Sequence, residues 1–167
     1  MNRKIVTASF TIALLGLGCF ASAQNRVVLS ELSYGHVVFG QKLVDIERKL
    51  GQRATIGTGD MDCDYVTFKE YPSIKFMVEQ GIVTRADTRS TDIHSSFGPV
   101  VGAKAQDIQQ KHPGLLVLPH HYDPTGHYLI LKSSDGKSAL VMEESEGTIT
   151  DIRGGLEPSV EYVEGCL

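Results

Sequence analysis

Beyond its first 23 residues this 167-residue sequence has no apolar run approaching the ~20 residues a helix needs to cross a bilayer. The remainder therefore reads as a chain that is soluble or at most tethered, with no membrane insertion. There is no GxSxG elbow, no HExxH pair and no cofactor fingerprint. Low-complexity tracts are missing too, and the basic residues are scattered instead of forming the stripe that nucleic acid or anionic lipid requires. These absences point to a non-enzymatic protein with no cofactor, no metal and no nucleic-acid partner. Cysteine is scarce: of three, Cys19 lies in the N-terminal leader, which leaves Cys63 and Cys166.

What is present begins with that leader. Arg3 and Lys4 precede an apolar stretch over residues 5–20 and the small residues Ala21, Ser22 and Ala23, the pattern of a signal peptide cleaved before Gln24. The expected localisation is periplasmic or secreted. A lipid anchor at Cys19 is the rival, and it fits less well because Gly16, Leu17 and Gly18 precede it where a lipoprotein signal begins with Leu and a small residue. Loss of residues 1–23 removes two of the 16 basic residues and none of the 20 acidic ones, so the net charge moves from −4 to −6. The mature chain, residues 24–167, has the length of one domain, and 41% hydrophobic residues suit a chain folded throughout. An oxidising compartment makes a Cys63–Cys166 disulfide the default, closing a loop of about 100 residues at roughly 4 to 5 kcal/mol on a chain-entropy argument.

A repeat organises the domain. Residues 34–51, YGHVVFGQKLVDIERKLG, return at residues 97–114 as FGPVVGAKAQDIQQKHPG, with Gly40, Lys42, Asp45, Ile46 and Lys49 answered by Gly102, Lys104, Asp107, Ile108 and Lys111. Each copy predicts a short amphipathic helix, with an exposed Asp-to-Lys pair four residues apart. Gly51 ends the first helix and Pro113-Gly114 the second. Strand-like segments follow at 65–68, 74–78 and 82–88, and again at 128–132, 139–143 and 149–153. Residues 27–32 and 159–163 suit edge strands, and 115–118 is either a strand or a loop. The predicted fold is α+β: two tandem helix-plus-antiparallel-meander repeats, about 32–90 and 95–155, forming one sheet with both helices on one face and a C-terminal strand. The opposite face is expected to be broad and exposed.

A helix opened by Gly, closed by a Leu-Gly pair, followed by a meander and repeated, resembles the tandem fold of the β-lactamase inhibitory proteins. The single unit is similar to the small lipoproteins of the outer-membrane assembly machine. The likeness rests on residues 38–51 and 100–114. It implies a protein that engages other proteins, in the inhibitor case through a concave sheet face. The ending VEYVEGC at residues 160–166 is also similar to that of small exported proteobacterial proteins labelled lectins.

Two loops carry the candidate contact residues. PHHYDPTGHY, residues 119–128, offers His120, His121, Tyr122, Asp123, His127 and Tyr128. Metal ligation by this set is disfavoured because adjacent histidines on an extended segment point to opposite faces. Recognition is the better use, since Tyr and His join apolar area to a hydrogen-bonding tip. GDMDCDY, residues 59–65, offers Asp62, Asp64 and Tyr65. It begins like a calcium loop but has Tyr65 and Tyr71 where an EF-hand needs Gly and Glu. Glu143, Glu144 and Glu146 read as ordinary hairpin acids. Arg85, Asp87 and Arg89, with Asp151 and Arg153, read as cross-strand ion pairs on a sheet face. The function that follows is binding: of a protein partner through the open sheet face and the two loops, of a glycan with Tyr65, Tyr122 and Tyr128 as stacking surfaces, or a structural role in envelope assembly.

Overall fold

The computed structural model describes residues 27–166 apart from Met61; the leader over residues 1–23, its cleavage site and Cys19 lie outside the described residues. The architecture is α+β and mostly strand. Two helices, α1 (Leu43–Leu50) and α2 (Ala105–Lys111), accompany twelve strands among the described residues: β1 (Val28–Leu29), β2 (Ser33–Tyr34), β3 (Val37–Val38), β4 (Thr55–Ile56), β5 (Cys63–Thr67), β6 (Lys75–Glu79), β7 (Ile82–Thr88), β8 (His94–Ser95), β9 (Leu116–Pro119), β10 (His127–Lys132), β11 (Ser138–Ser145) and β12 (Thr148–Leu156).

There are two sheets where the sequence predicted one. The larger is antiparallel throughout, in the order β4-β5-β6-β7-β12-β11-β10-β9, so that β7 and β12 meet at its centre. The smaller has the order β3-β2-β1-β8. Residues 27–38 do not extend the large sheet because they close on themselves, pairing Leu29 with Tyr34 and Ser33 with Val38, and β1 takes β8 as its parallel neighbour. Leu29 and Val37 are fully buried by this arrangement.

Both helices form for the reason their spacing gave. Ile46 of α1 and Ala105 and Ile108 of α2 are buried in one apolar cluster, against Phe68, Phe76, Leu129, Leu140 and Ile152. Gly51 ends α1 at φ 65°, a left-handed conformation that a side chain disfavours, and α2 stops at Lys111, two residues before Pro113. Asp45 pairs with Arg48 at 2.9 Å, three residues on, and not with Lys49 as the spacing predicted; both side chains are exposed, so the pair adds little.

The helix starts are tied to hairpins in matching ways. Leu43 N–H donates to Gly81 O at 2.9 Å and Ala105 N–H to Gly147 O at 3.0 Å, while Gly40 and Gly102 N–H donate to Val83 O and Ile149 O, each at 2.8 Å. Those hairpins turn on Gln80-Gly81 and Glu146-Gly147, all four residues at positive φ, the geometry of a two-residue loop matched to strand twist.

Residues 159–163 were expected as a strand and are not one. Ser159–Glu161 is a 3₁₀ turn, and the carbonyls a strand partner would have used are taken by arginine side chains instead.

Candidate functional site

Strand alternation sends every second residue to the sheet face away from the helices. The registers align these residues in rows. One row runs Lys75, Asp87, Arg153, Val141, Ile130, Leu116 from β6 to β9, and the next runs Asp151, Glu143, Tyr128, Leu118 from β12 to β9. Each row is charged toward the sheet centre and apolar toward the β9 edge.

The C-terminal segment lies across the charged part, so the face is not left open. Arg85 and Arg153 are each 3% exposed. Arg85 Nη1 donates to the carbonyls of Ser159 (3.0 Å) and Tyr162 (2.7 Å), its Nη2 to Tyr65 Oη (2.8 Å), and its Nε and Nη2 contact the Asp87 carboxylate at 2.7 to 3.0 Å. Arg153 Nε donates to Val160 O at 2.8 Å, and its Nη1 pairs with Glu143. The Cys63–Cys166 disulfide fixes the far end of the segment, and Gly165 lies so close to Tyr65 Oη that a Cβ there would collide with it.

Beneath and beside this strap is a pocket of about 530 Å³ lined by Tyr65, Lys75, Asp87, Arg89, Glu143, Asp151 and Arg153, among others. Asp151 decides its character. Its Oδ2 accepts from Arg89 Nε at 3.1 Å, but Oδ1 is buried with no hydrogen-bond partner among the described residues, in a residue only 8% exposed. Burial, and then the neighbouring Asp87 and Glu143, push the Asp151 carboxyl up to about 6. Asp87 is shifted upward as well, by burial, with Arg85 opposing. Burial and Asp87 also raise the Tyr65 phenol to about 12, so it remains a hydroxyl that accepts from Arg85 and still has a proton to give.

The nine residues singled out from the loops separate by what their side chains touch. Tyr65, His120, His121 and Tyr128 line the pockets of this face. His120 Nδ1 accepts from the Tyr122 and Asp123 N–H groups at 3.1 Å each, so the proton of the neutral ring sits on Nε2, 3.8 Å from Glu143. Asp64 and Asp123 build turns. Asp64 accepts from Thr58, Gly59 and Tyr65 N–H groups, and the Thr58 donor is the largest influence holding its carboxyl below the usual range. Asp123 is held at about 2 chiefly by Ser145 and then by Thr125. His127 alternates away from Tyr128 and meets Glu144 on the other face at 2.8 Å. Asp62 is exposed, and Tyr122 is 68% exposed. Among the described residues no three His, Cys, Asp or Glu side chains are grouped to hold a metal ion.

The sequence predicts cross-strand ion pairs for these charged residues; Arg89–Asp151 is one, whereas Arg85 and Asp87 pair along the single strand β7. Their use as pocket walls was not visible, because that depends on the strap. Glu143 and Glu144 differ from the hairpin acids expected. Glu143 is held by Arg153, and Glu144 is buried, its Oε1 accepting from Gly147 N–H.

No protein family description matches the chain, and no curated relative matches it. Among solved structures it is similar to an extracellular protein containing an SCP domain from Bacillus anthracis str. Ames, with a TM-score of 0.44 and 12% identity over 69% of this chain; the chain spans 43% of that protein. It is similar also to the uncharacterized protein yfeY from Escherichia coli, with a TM-score of 0.48 and 12% identity over 77% of this chain and 99% of the other.

Proposed function

We propose that this chain is an exported, non-enzymatic binding protein that takes a small hydroxylated ligand, of the saccharide class, in the pocket beneath its C-terminal strap. One observation carries the reading: Asp151 lines that pocket beside the Arg85–Asp87 and Arg153–Glu143 pairs, and its buried Oδ1 has no hydrogen-bond partner among the described residues. A buried acceptor left unmatched costs ~1–3 kcal/mol, and a ligand hydroxyl would supply the missing donor. The equal numbers of Arg or Lys and Asp or Glu side chains around the pocket favour a neutral ligand over an ion. Export through the signal peptide accords with the disulfide.

The two helix-plus-strand halves are, on this proposal, copies of one unit. The matched bonds from Gly40 and Gly102, and from Leu43 and Ala105, support it. A copied unit would bring one sheet row of each half to the shared centre, where the pocket lies.

Engagement of a protein partner is the second reading, and a different surface favours it. Leu116, Val117 and Leu118 of the edge strand β9 are each 39 to 44% exposed, next to the exposed Tyr122. The two are separated by titrating the oxidised chain calorimetrically with neutral oligosaccharides. Saccharide binding that weakens about tenfold or more in Asp151→Asn supports the pocket. No saccharide binding, with an envelope protein captured by wild type and by Asp151→Asn alike but not by Val117→Asp, overturns it in favour of the edge.

A further inference from the structure

On the other side of Arg153 and Val163, which line both cavities, a second pocket of about 620 Å³ opens between β9, β10, β11 and the C-terminal segment. Its walls include Leu118, Ile130 and Val141, from the apolar ends of the same sheet rows, and Val163 of the C-terminal segment. One polar group in it lacks a match. Tyr128 is 5% exposed, and its hydroxyl has no hydrogen-bond partner among the described residues. The ring is held in place, with His120 stacked on it at 4.6 Å and 19° and the Arg153 guanidinium 5.6 Å from its centroid. The unmatched hydroxyl is therefore pre-positioned.

The charges at this pocket are already committed. Arg153 serves Glu143 and Val160 O, and Glu161 pairs with Lys132 at 2.8 Å. An ionic ligand group would find no spare counter-charge. What fits is an uncharged group with a small apolar surface and one good acceptor.

We propose that this second pocket is a subsite for a short N-acyl group, its methyl end against Leu118, Ile130 and Val141 and its carbonyl accepting from Tyr128 Oη–H. It rests on the reading that the first pocket holds a hydroxylated ligand. Arg153 and Val163 are walls of both pockets, so a molecule that reaches past them would occupy both, and an acetamido sugar is the simplest ligand carrying both parts.

The test is calorimetric titration of the oxidised chain with N-acetylglucosamine oligomers and, in parallel, with glucose oligomers of the same length and linkage. The acetylated series should bind about tenfold tighter or more. In Tyr128→Phe, and independently in Leu118→Asp at the exposed edge, the ratio of the two affinities should fall toward one, with thermal melts confirming that both variants are folded. Equal affinity for the two series in wild type overturns the acyl subsite and leaves the hydroxylated-ligand reading standing. Binding of neither series overturns both together.

Discussion

The two faces of the eight-stranded sheet are built on opposite principles. The helix face is apolar: Val66, Phe76 and Ala86 lie in register across β5, β6 and β7 under α1 and α2, each 1% exposed or less. The strap face, one residue out of phase on the same strands, presents Tyr65, Arg85, Asp87, Glu143, Asp151 and Arg153, with a small apolar cluster of Tyr128, Ile130, Ala139, Val141 and Val160 beside them. Hydrophobic burial is non-directional, so the helix face can stabilise the fold without specifying a ligand. Buried charges contribute little net stability, and they persist where their direction is used. The helix face therefore holds the molecule together, and the strap face gathers its buried polar and charged groups.

The largest expected effect ties the two faces together. Replacing both Cys63 and Cys166 by Ser should lower unfolding free energy by roughly 4 to 5 kcal/mol on the chain-entropy argument. In hydrogen exchange the loss should appear first over residues 157–166, with α1 protection following only the global stability. Equal early exposure of both would erase the distinction.

Phe76→Ala should cost about 3 to 5 kcal/mol in urea unfolding, since it opens a cavity in the helix-face core. Saccharide affinity of the folded variant should stay at the wild-type value in calorimetry. Arg85→Met should cost about 3 kcal/mol, because it leaves Asp87 buried without its cation and frees two strap carbonyls. The double variant Arg85→Met/Asp87→Leu should recover much of that stability and none of the binding. A double variant as unstable as the single one would mean that the pair itself stabilises the fold.

Asp151→Asn should act in the other direction. Its folded pKa of about 6 lies above the ordinary 3.8, so the folded chain holds this proton more tightly than the unfolded chain. Stability is then greatest below about pH 4 as far as this group is concerned, and it falls as pH rises through the folded value near 6. Removing the charge should raise stability at pH 7 by about 2 kcal/mol and flatten the curve between pH 4 and 6, with a residual slope from Asp87, shifted in the same direction. Urea midpoints at pH 4, 5, 6 and 7 measure this. The smallest effect belongs to Gly51→Ala, about 1 kcal/mol from the left-handed cap alone, with no change in affinity.

The local elements were legible because they answer to local chemistry. The amphipathic pattern within residues 34–51 gave α1 and Gly51 gave its end. The alternation Arg85, Asp87, Arg89 and its echo Asp151, Arg153 placed five charges on one face. The loop residues were harder to judge. Asp64 and Asp123 have the composition of contact residues, yet their carboxylates cap turns, and only the hydrogen-bond geometry distinguishes those roles.

By itself the sequence determined that this is an α+β chain with a short helix in each of residues 34–51 and 97–114, strands in alternating phase and two cysteines able to close a long loop. Those features depend on residues close together in the chain or on period alone. The tertiary structure decided that residues 27–38 form a sheet of their own, that β7 and β12 meet at the centre, and that the C-terminal segment lies over Arg85 and Arg153 instead of adding a strand. The pairing of β1 with β8, the pairing of β7 with β12 and the bonds from Arg85 to the strap join residues roughly 60 to 80 positions apart, where pairing is settled by which buried donors and acceptors find partners across the whole fold. No local pattern carries that information.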